Sequence, residues 1–260
     1  MQKKIEYVNG SLQLAPGEHS DLLNDMGHGG EGSEAQYKGR QNKRGVSYSI
    51  DKTKHRLTFH CRVFDYNILK DKILKKEEQM KQIGILGGMS WESTKEYYRI
   101  LNELAAEKLG GLHSAECLIA SVDFAPLAEW MHSGRWDLVG EHLKAKARAL
   151  EAGGAELLLI GTNTMHLLAE EIQAAVSIPL LHIADAAGEE CLRLGVKTVA
   201  LLGTRFTMEK VFYADRLAAG FGLTVLTPEP EKRLEIDRII FEEQCEGRFL
   251  PESTERLRSY

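Results

Sequence analysis

From residue 80 to residue 204 one pattern recurs: a run of aliphatic residues, a glycine-bearing turn, then apolar residues at helical spacing. KQIGILGGM (81–89) reads as a buried strand closed by Gly87-Gly88. SWESTKEYYRILNELAAEKLGG (90–111) reads as a helix with polar N-caps, an apolar stripe of Tyr97, Ile100, Leu101 and Leu104, and a Gly110-Gly111 stop. ECLIASVDF (116–124) is a second strand ending in Asp123, and WDLVGEHLKAKARALEAGG (136–154) a second helix. The order then continues with a strand at Leu157, helix HLLAEEIQAAV, strand LLHIAD, helix AAGEECLRLG and strand VKTVALLGT. Such βαβα alternation with short turns predicts a parallel sheet covered by helices on both faces.

Within this frame LLLIGTNTMH (157–166) is the stretch where chemistry concentrates. Four aliphatics release at Gly161 into Thr162, Asn163 and Thr164, which is what an open α/β sheet presents where small ligands bind. A plainer reading is that TNT caps the next helix, since Thr and Asn are good caps. Both readings can hold for one loop. KQIGILGGMSWESTKEYY (81–98) also aligns with KTVALLGTRFTMEKVFY (197–213), pairing Lys81 with Lys197, Gly87 with Gly203 and Tyr97 with Tyr213. Strand–turn–helix units share a pattern by chance as well; read as a duplication, the echo gives two related halves with a cleft between them.

The remaining composition narrows the class. With 260 residues, 43% hydrophobic, 27% charged and a net charge of −5, the chain has a globular makeup and no basic stripe for nucleic acid or anionic membranes. No apolar run is of spanning length and no secretory leader is recognisable, so the cytoplasm is the expected compartment. Cys61, Cys117, Cys191 and Cys245 are scattered, with neither a metal-ligand spacing nor a disulfide framework. Residues 1–79 differ from the rest: glycine- and charge-rich tracts predict a largely irregular, poorly ordered extension, with one hairpin from VSYSI and RLTFHCRVF and a short helix near 68–80. His28, His55 and His60 are read as surface histidines.

The Gly84–Gly88 turn (by number, 84–88) is not GxGxxG and no GK[ST] occurs, so a nucleotide-dependent enzyme is a distant alternative. The plain reading of Gly87-Gly88 is close approach of backbone and ligand. Taken together, GILGGMSWEST, TNTMH, LHIAD and ALLGTRFTME resemble the cofactor-independent aspartate/glutamate racemases, in their aspartate racemase branch. The resemblance runs from Met80 to about Phe249. It implies two pseudo-symmetric, doubly wound α/β domains (80–184 and 185–260, the second incomplete), a small amino acid as partner, no cofactor or metal, and assembly as homodimers.

The chemistry such a family performs sets its requirements. The α-proton of an amino acid is very weakly acidic, and no lysine here sits in a Schiff-base context. Two protein groups on opposite faces of the α-carbon must therefore remove and return the proton while donors hold the carboxylate. In this family both are normally cysteines. Carried onto this sequence, the first cysteine's position is Thr162, the expected catalytic residue. Asn163 and Thr164 match residues that bind the substrate's α-carboxylate or amino group, Met89 the turn closing over it, and Thr204 the equivalent turn of the second half. His132 and Arg135 in WMHSGR are candidates for a distal carboxylate.

Two departures qualify the match. A threonine hydroxyl is a far weaker acid than a thiol, which predicts slow or direction-biased turnover. The family's second cysteine lies in a GCTE-type loop after a late strand, and Tyr260 is reached first, so the tail reads as lost and residues 1–79 as a foreign leader. Cys245 in IIFEEQCEGRF is expected to be an inert helix residue, with Cys117 and Cys191 as core fillers. A non-catalytic amino-acid-binding module keeping Asn163 and Thr164 is the alternative.

Overall fold

In the computed structural model, residues 80–260 are described throughout, together with the backbone of four strands in the preceding segment: β1 (Lys4–Val8), β2 (Ser11–Leu14), β3 (Ser47–Asp51) and β4 (Arg56–His60). The first half is built on β5 (Ile83–Gly87), β6 (Cys117–Ser121), β7 (Leu157–Ile160) and β8 (Leu180–Leu181). These form a parallel sheet in the order β6-β5-β7-β8.

The alternation of side chains along these strands decides which helix covers which face. Ile83, Ile85, Leu157 and Leu159 point to one face and pack on Tyr97, Ile100, Leu101 and Leu104 of α1 (Trp91–Leu109). Leu86, Leu158 and Ile160 point to the other, against α2 (Phe124–His132), α3 (Trp136–Ala152) and α4 (Ala169–Ala174). All four residues of β7 are at most 1% exposed. Burial on that scale contributes about 1.5–3 kcal/mol per side chain before entropy is counted. The doubly wound architecture read from the sequence is present.

The second half comprises α5 (Ile183–Arg193), β9 (Thr198–Leu201), α6 (Arg205–Glu209), α7 (Val211–Phe221), β10 (Thr224–Leu226), α8 (Pro230–Glu242) and α9 (Pro251–Ser259). Val199 and Leu201 meet Cys191, Tyr213 and Leu217 in one core, while Leu202 and Met208 meet Ile236, Ile239 and Leu257 in another. The paired tyrosines of the internal echo, Tyr97 and Tyr213, are both buried, each behind the strand of its own half. The second sheet runs β10-β9-β1-β2-β4-β3, with β1 parallel to β9 and the other added strands antiparallel. By the echo β9 corresponds to β5, so β1 stands beside it where β7 stands in the first half.

Several elements differ from the sequence reading. The helix α2 is unanticipated: Asp123, expected to end a strand, caps it instead, accepting from the Ala125 N–H at 3.2 Å. LLHIAD is a strand for two residues only, because His182 caps α5 and turns the chain into helix at Ile183. The HLLAEEIQAAV helix opens as a 3-10 turn over Thr164–Leu168 before becoming α4. The expected hairpin is the β3–β4 pair, β1 and β2 are additional to the reading, and the helix near 68–80 lies outside the described residues.

Candidate functional site

The tips of β5 and β7 lie side by side, and short polar residues fix their loops to each other. The Gly161 N–H donates to the Leu86 carbonyl at 2.8 Å, and Ser93 Oγ donates to the Gly161 carbonyl at 2.8 Å. On the β5 side the Gly88 N–H donates to Thr94 Oγ1 at 2.8 Å, and that hydroxyl donates onward to the Ser90 carbonyl. Gly88 has φ +89°, and a Cβ there would stand 2.3 Å from the Val122 carbonyl oxygen. At Gly88 the close approach expected of this turn is to the neighbouring backbone of Val122, and its N–H is taken by Thr94 Oγ1.

The β7 loop is organised by a buried histidine. His166 Nε2 accepts the Ile183 N–H at 3.2 Å, which leaves the proton on Nδ1, donated to the Thr162 carbonyl at 2.8 Å. His182 Nδ1 accepts the Ala184 N–H at 3.1 Å, and the two rings meet edge-on with centroids 4.5 Å apart. Burial, then the neighbouring His182, pushes His166 down to about 3; burial and the Arg216 guanidinium push His182 down to about 4. Both rings are held neutral with their acceptor nitrogens committed. Among the described residues no group of three or more His, Cys, Asp or Glu is arranged to hold a metal.

That pair has a consequence for stability. Below the ordinary value of 6.5 the unfolded chain takes up protons that the folded chain refuses. The contribution is complete above pH 6.5 and is lost on acidification, by about 1.4 kcal/mol per pH unit for each histidine, until the folded values are reached. Urea unfolding between pH 7 and pH 4.5 checks this. His182→Asn, which keeps a capping acceptor but cannot titrate, is expected to flatten the slope by about one histidine's share.

A cleft of about 580 Å³ opens between the halves, and Met89, Thr162, Asn163, Thr164 and Thr204, all singled out from the sequence, line it. Thr164 Oγ1 and Thr204 Oγ1 lie 2.8 Å apart, joining the two halves by a hydroxyl pair, with Thr207 Oγ1 within 3.4 Å of both. Asn163 occupies the cap position of the 3-10 turn without a side-chain capping bond, and its Oδ1 is buried with no partner. A buried acceptor left open beside a cleft is what a ligand donor would fill. The capping role considered for TNT is therefore not what this amide does.

The two candidates for a distal carboxylate lie elsewhere. Arg135 is exposed and forks onto Asp137 at 2.9 and 2.8 Å. His132 lines a neighbouring cavity with Trp136, Arg205, Phe206 and Asp237, and packs edge-on against Phe206 and Phe241. Neither lines the cleft. Cys245, expected to be an inert helix residue, is instead half-buried in a 3-10 turn (Gln244–Glu246) that lines it. Burial holds its thiol above the ordinary range, a hydrogen bond with Ser90 offsets only part of this, and the nearby Asp237 and Glu246 carboxylates add to the rise. No local pattern marks Cys245; its place depends on how the segment after α8 folds over the cleft. Cys117 begins β6 half-buried, and Cys191 is core, its thiol pushed by burial up to about 12.

Comparison with known proteins gives this geometry a context. The curated broad specificity amino-acid racemase RacX of Bacillus subtilis (strain 168) is 35% identical over 77 residues, a match spanning 30% of this chain and about a third (33%) of that protein. A crystal structure from Yersinia pestis, of a protein assigned as an Asp/Glu racemase, superposes with a TM-score of 0.63 at 43% identity, covering 69% of this chain and 78% of that one. An aspartate racemase homologue from Pyrococcus horikoshii OT3 gives 0.55 at 40% identity, covering 65% and 74%. The Picrophilus torridus aspartate racemase, 15% identical over 68% of this chain and 73% of its own, shares the fold with a TM-score of 0.54. The model of the Asp/Glu/Hydantoin racemases matches residues 86–259, most of the chain and every residue of the cleft's walls, and the chain belongs to that family.

Proposed function

We propose that this chain is an amino-acid racemase that exchanges the α-proton between two protein groups without an organic cofactor, with aspartate and glutamate as the family's named substrates. The observation that carries the reading is the open Asn163 amide beside Thr162 in a cleft walled by the strand tips of both halves. Asn163 holds the ammonium or carboxylate of the amino acid, and the Thr164–Thr204 hydroxyl pair fixes the floor between the halves. Thr162 carries a proton at one face of the α-carbon. Cys245, the thiol lining the cleft, is the group assigned to the other face.

The two groups are unequal in their chemistry. A thiol reaches its thiolate far more readily than a threonine hydroxyl loses its proton, so Cys245 removes a proton more easily than Thr162 does. Because the enantiomers are equal in free energy, kcat/KM is the same from both, and the inequality shows as different kcat values matched by different KM values and as unequal solvent exchange from each enantiomer. The test is α-proton exchange of the L- and D-forms of aspartate, glutamate, methionine and leucine in deuterated water with the full chain, followed by proton NMR and chiral chromatography. Exchange from both enantiomers at unequal rates is the expected result. Thermal stabilisation by these amino acids with no exchange at all would sink the reading and leave a binding module.

A further inference from the structure

Resting on that reading, we propose that the cleft takes neutral, apolar amino-acid side chains in preference to a second carboxylate. The α-amino and α-carboxyl groups are common to all amino acids, so the class of substrate is set by what meets the side chain. A dicarboxylic substrate needs a cation or free donors for its distal group, because a carboxylate buried without a partner is heavily penalised.

The charges on the cleft's walls do not supply that cation. Arg99 is the cation among the described lining residues, and its fork is already held by two acids: Nε and Nη2 reach Glu96 at 2.9 and 2.7 Å, and Nη1 is bonded to Glu103. Glu92 and Glu96 also line the cleft, so the wall carries more acid than base. Glu92 is 7% exposed and sits under the Gly247 turn, with Lys95 as its ion-pair partner. A second substrate carboxylate would enter against these two acids.

The rest of the lining includes an apolar part. Phe124 and Phe241 stack with centroids 6.1 Å apart and planes within 11°, one from each half; Ile240 is partly exposed among the same lining residues, while Met131 and Met165, at 2% and 1% exposure, contribute little surface. Phe249 stands 64% exposed beside them, available to be covered by an incoming side chain. Aromatic groups of this kind pack against aliphatic or aromatic partners.

The test is calorimetric titration of the full chain at neutral pH with L-methionine, L-leucine, L-phenylalanine, L-aspartate, L-glutamate and L-lysine, run beside the exchange assay. Methionine or leucine is expected to bind at least about tenfold tighter than aspartate or glutamate, roughly 1.4 kcal/mol. Glu96→Gln/Glu103→Gln, which frees the Arg99 fork on an exposed helix face, is expected to lower the methionine-to-glutamate affinity ratio by a comparable factor. Equal or tighter binding of aspartate, glutamate or lysine, or no binding of the neutral amino acids, would overturn the proposal. Selective methionine binding without α-proton exchange on any substrate would leave this inference standing and remove the racemase reading, so the two fail separately.

Discussion

Thr162→Val is expected to lower α-proton exchange by about a thousandfold with the fold intact, within the range that positioned proton transfer supplies. Valine is close to threonine in shape, and the bond that fixes this loop uses the Thr162 carbonyl, which the substitution leaves with its His166 donor. What disappears is the hydroxyl alone. Thr162→Cys is the informative partner, because a thiol at the same place ionises far more readily. Its exchange rate is expected to exceed that of the natural chain, and most in the direction where Thr162 must act as base. Deuterium incorporation from each enantiomer separately measures both effects. Unchanged exchange in Thr162→Val would remove this hydroxyl from the reaction.

Gly88→Ala is expected to cost about 4 kcal/mol or more, at the extreme of what single substitutions do. The strain has two parts: a φ of +89° that side-chain-bearing residues avoid, and a Cβ that would fall 2.3 Å from the Val122 oxygen and 2.5 Å from its nitrogen. Neither atom can withdraw, since the Val122 N–H donates to the Gly87 carbonyl at 3.1 Å and fastens β6 to β5. Gly110 is the control. Its φ is +72° with ψ −174°, a conformation open essentially to glycine alone, but nothing lies within 4 Å of the added carbon, so Gly110→Ala isolates the conformational part, about 1–3 kcal/mol. Urea denaturation of the two variants beside the natural chain separates collision from backbone preference.

What the sequence makes legible is periodicity and loop chemistry at strand tips. The aliphatic run of β7 read as a buried strand, and its release into TNT pointed to three of the cleft's residues without any tertiary information. Met89 and Thr204 came from the family resemblance, carried onto the two glycine turns. Elements shorter than the periodic signal are hard to see: α2 is nine residues whose cap, Asp123, lies two positions after the end of β6 and reads as part of that strand. His166 and His182 were both visible inside motifs, yet their contact depends on where β8 gives way to α5. The place of Cys245 at the cleft was not legible, since a thiol in a short polar turn carries no periodic or motif signal, and only the fold of the last segment brings it there.

The ring of His166 has a further mechanical meaning. It grips the carbonyl of Thr162 with one nitrogen and the amide of Ile183, where the path crosses from one half to the other, with its second. One neutral ring thus fastens the loop that carries Thr162 to the first turn of the second half, and a substitution that removes either nitrogen would uncouple the two.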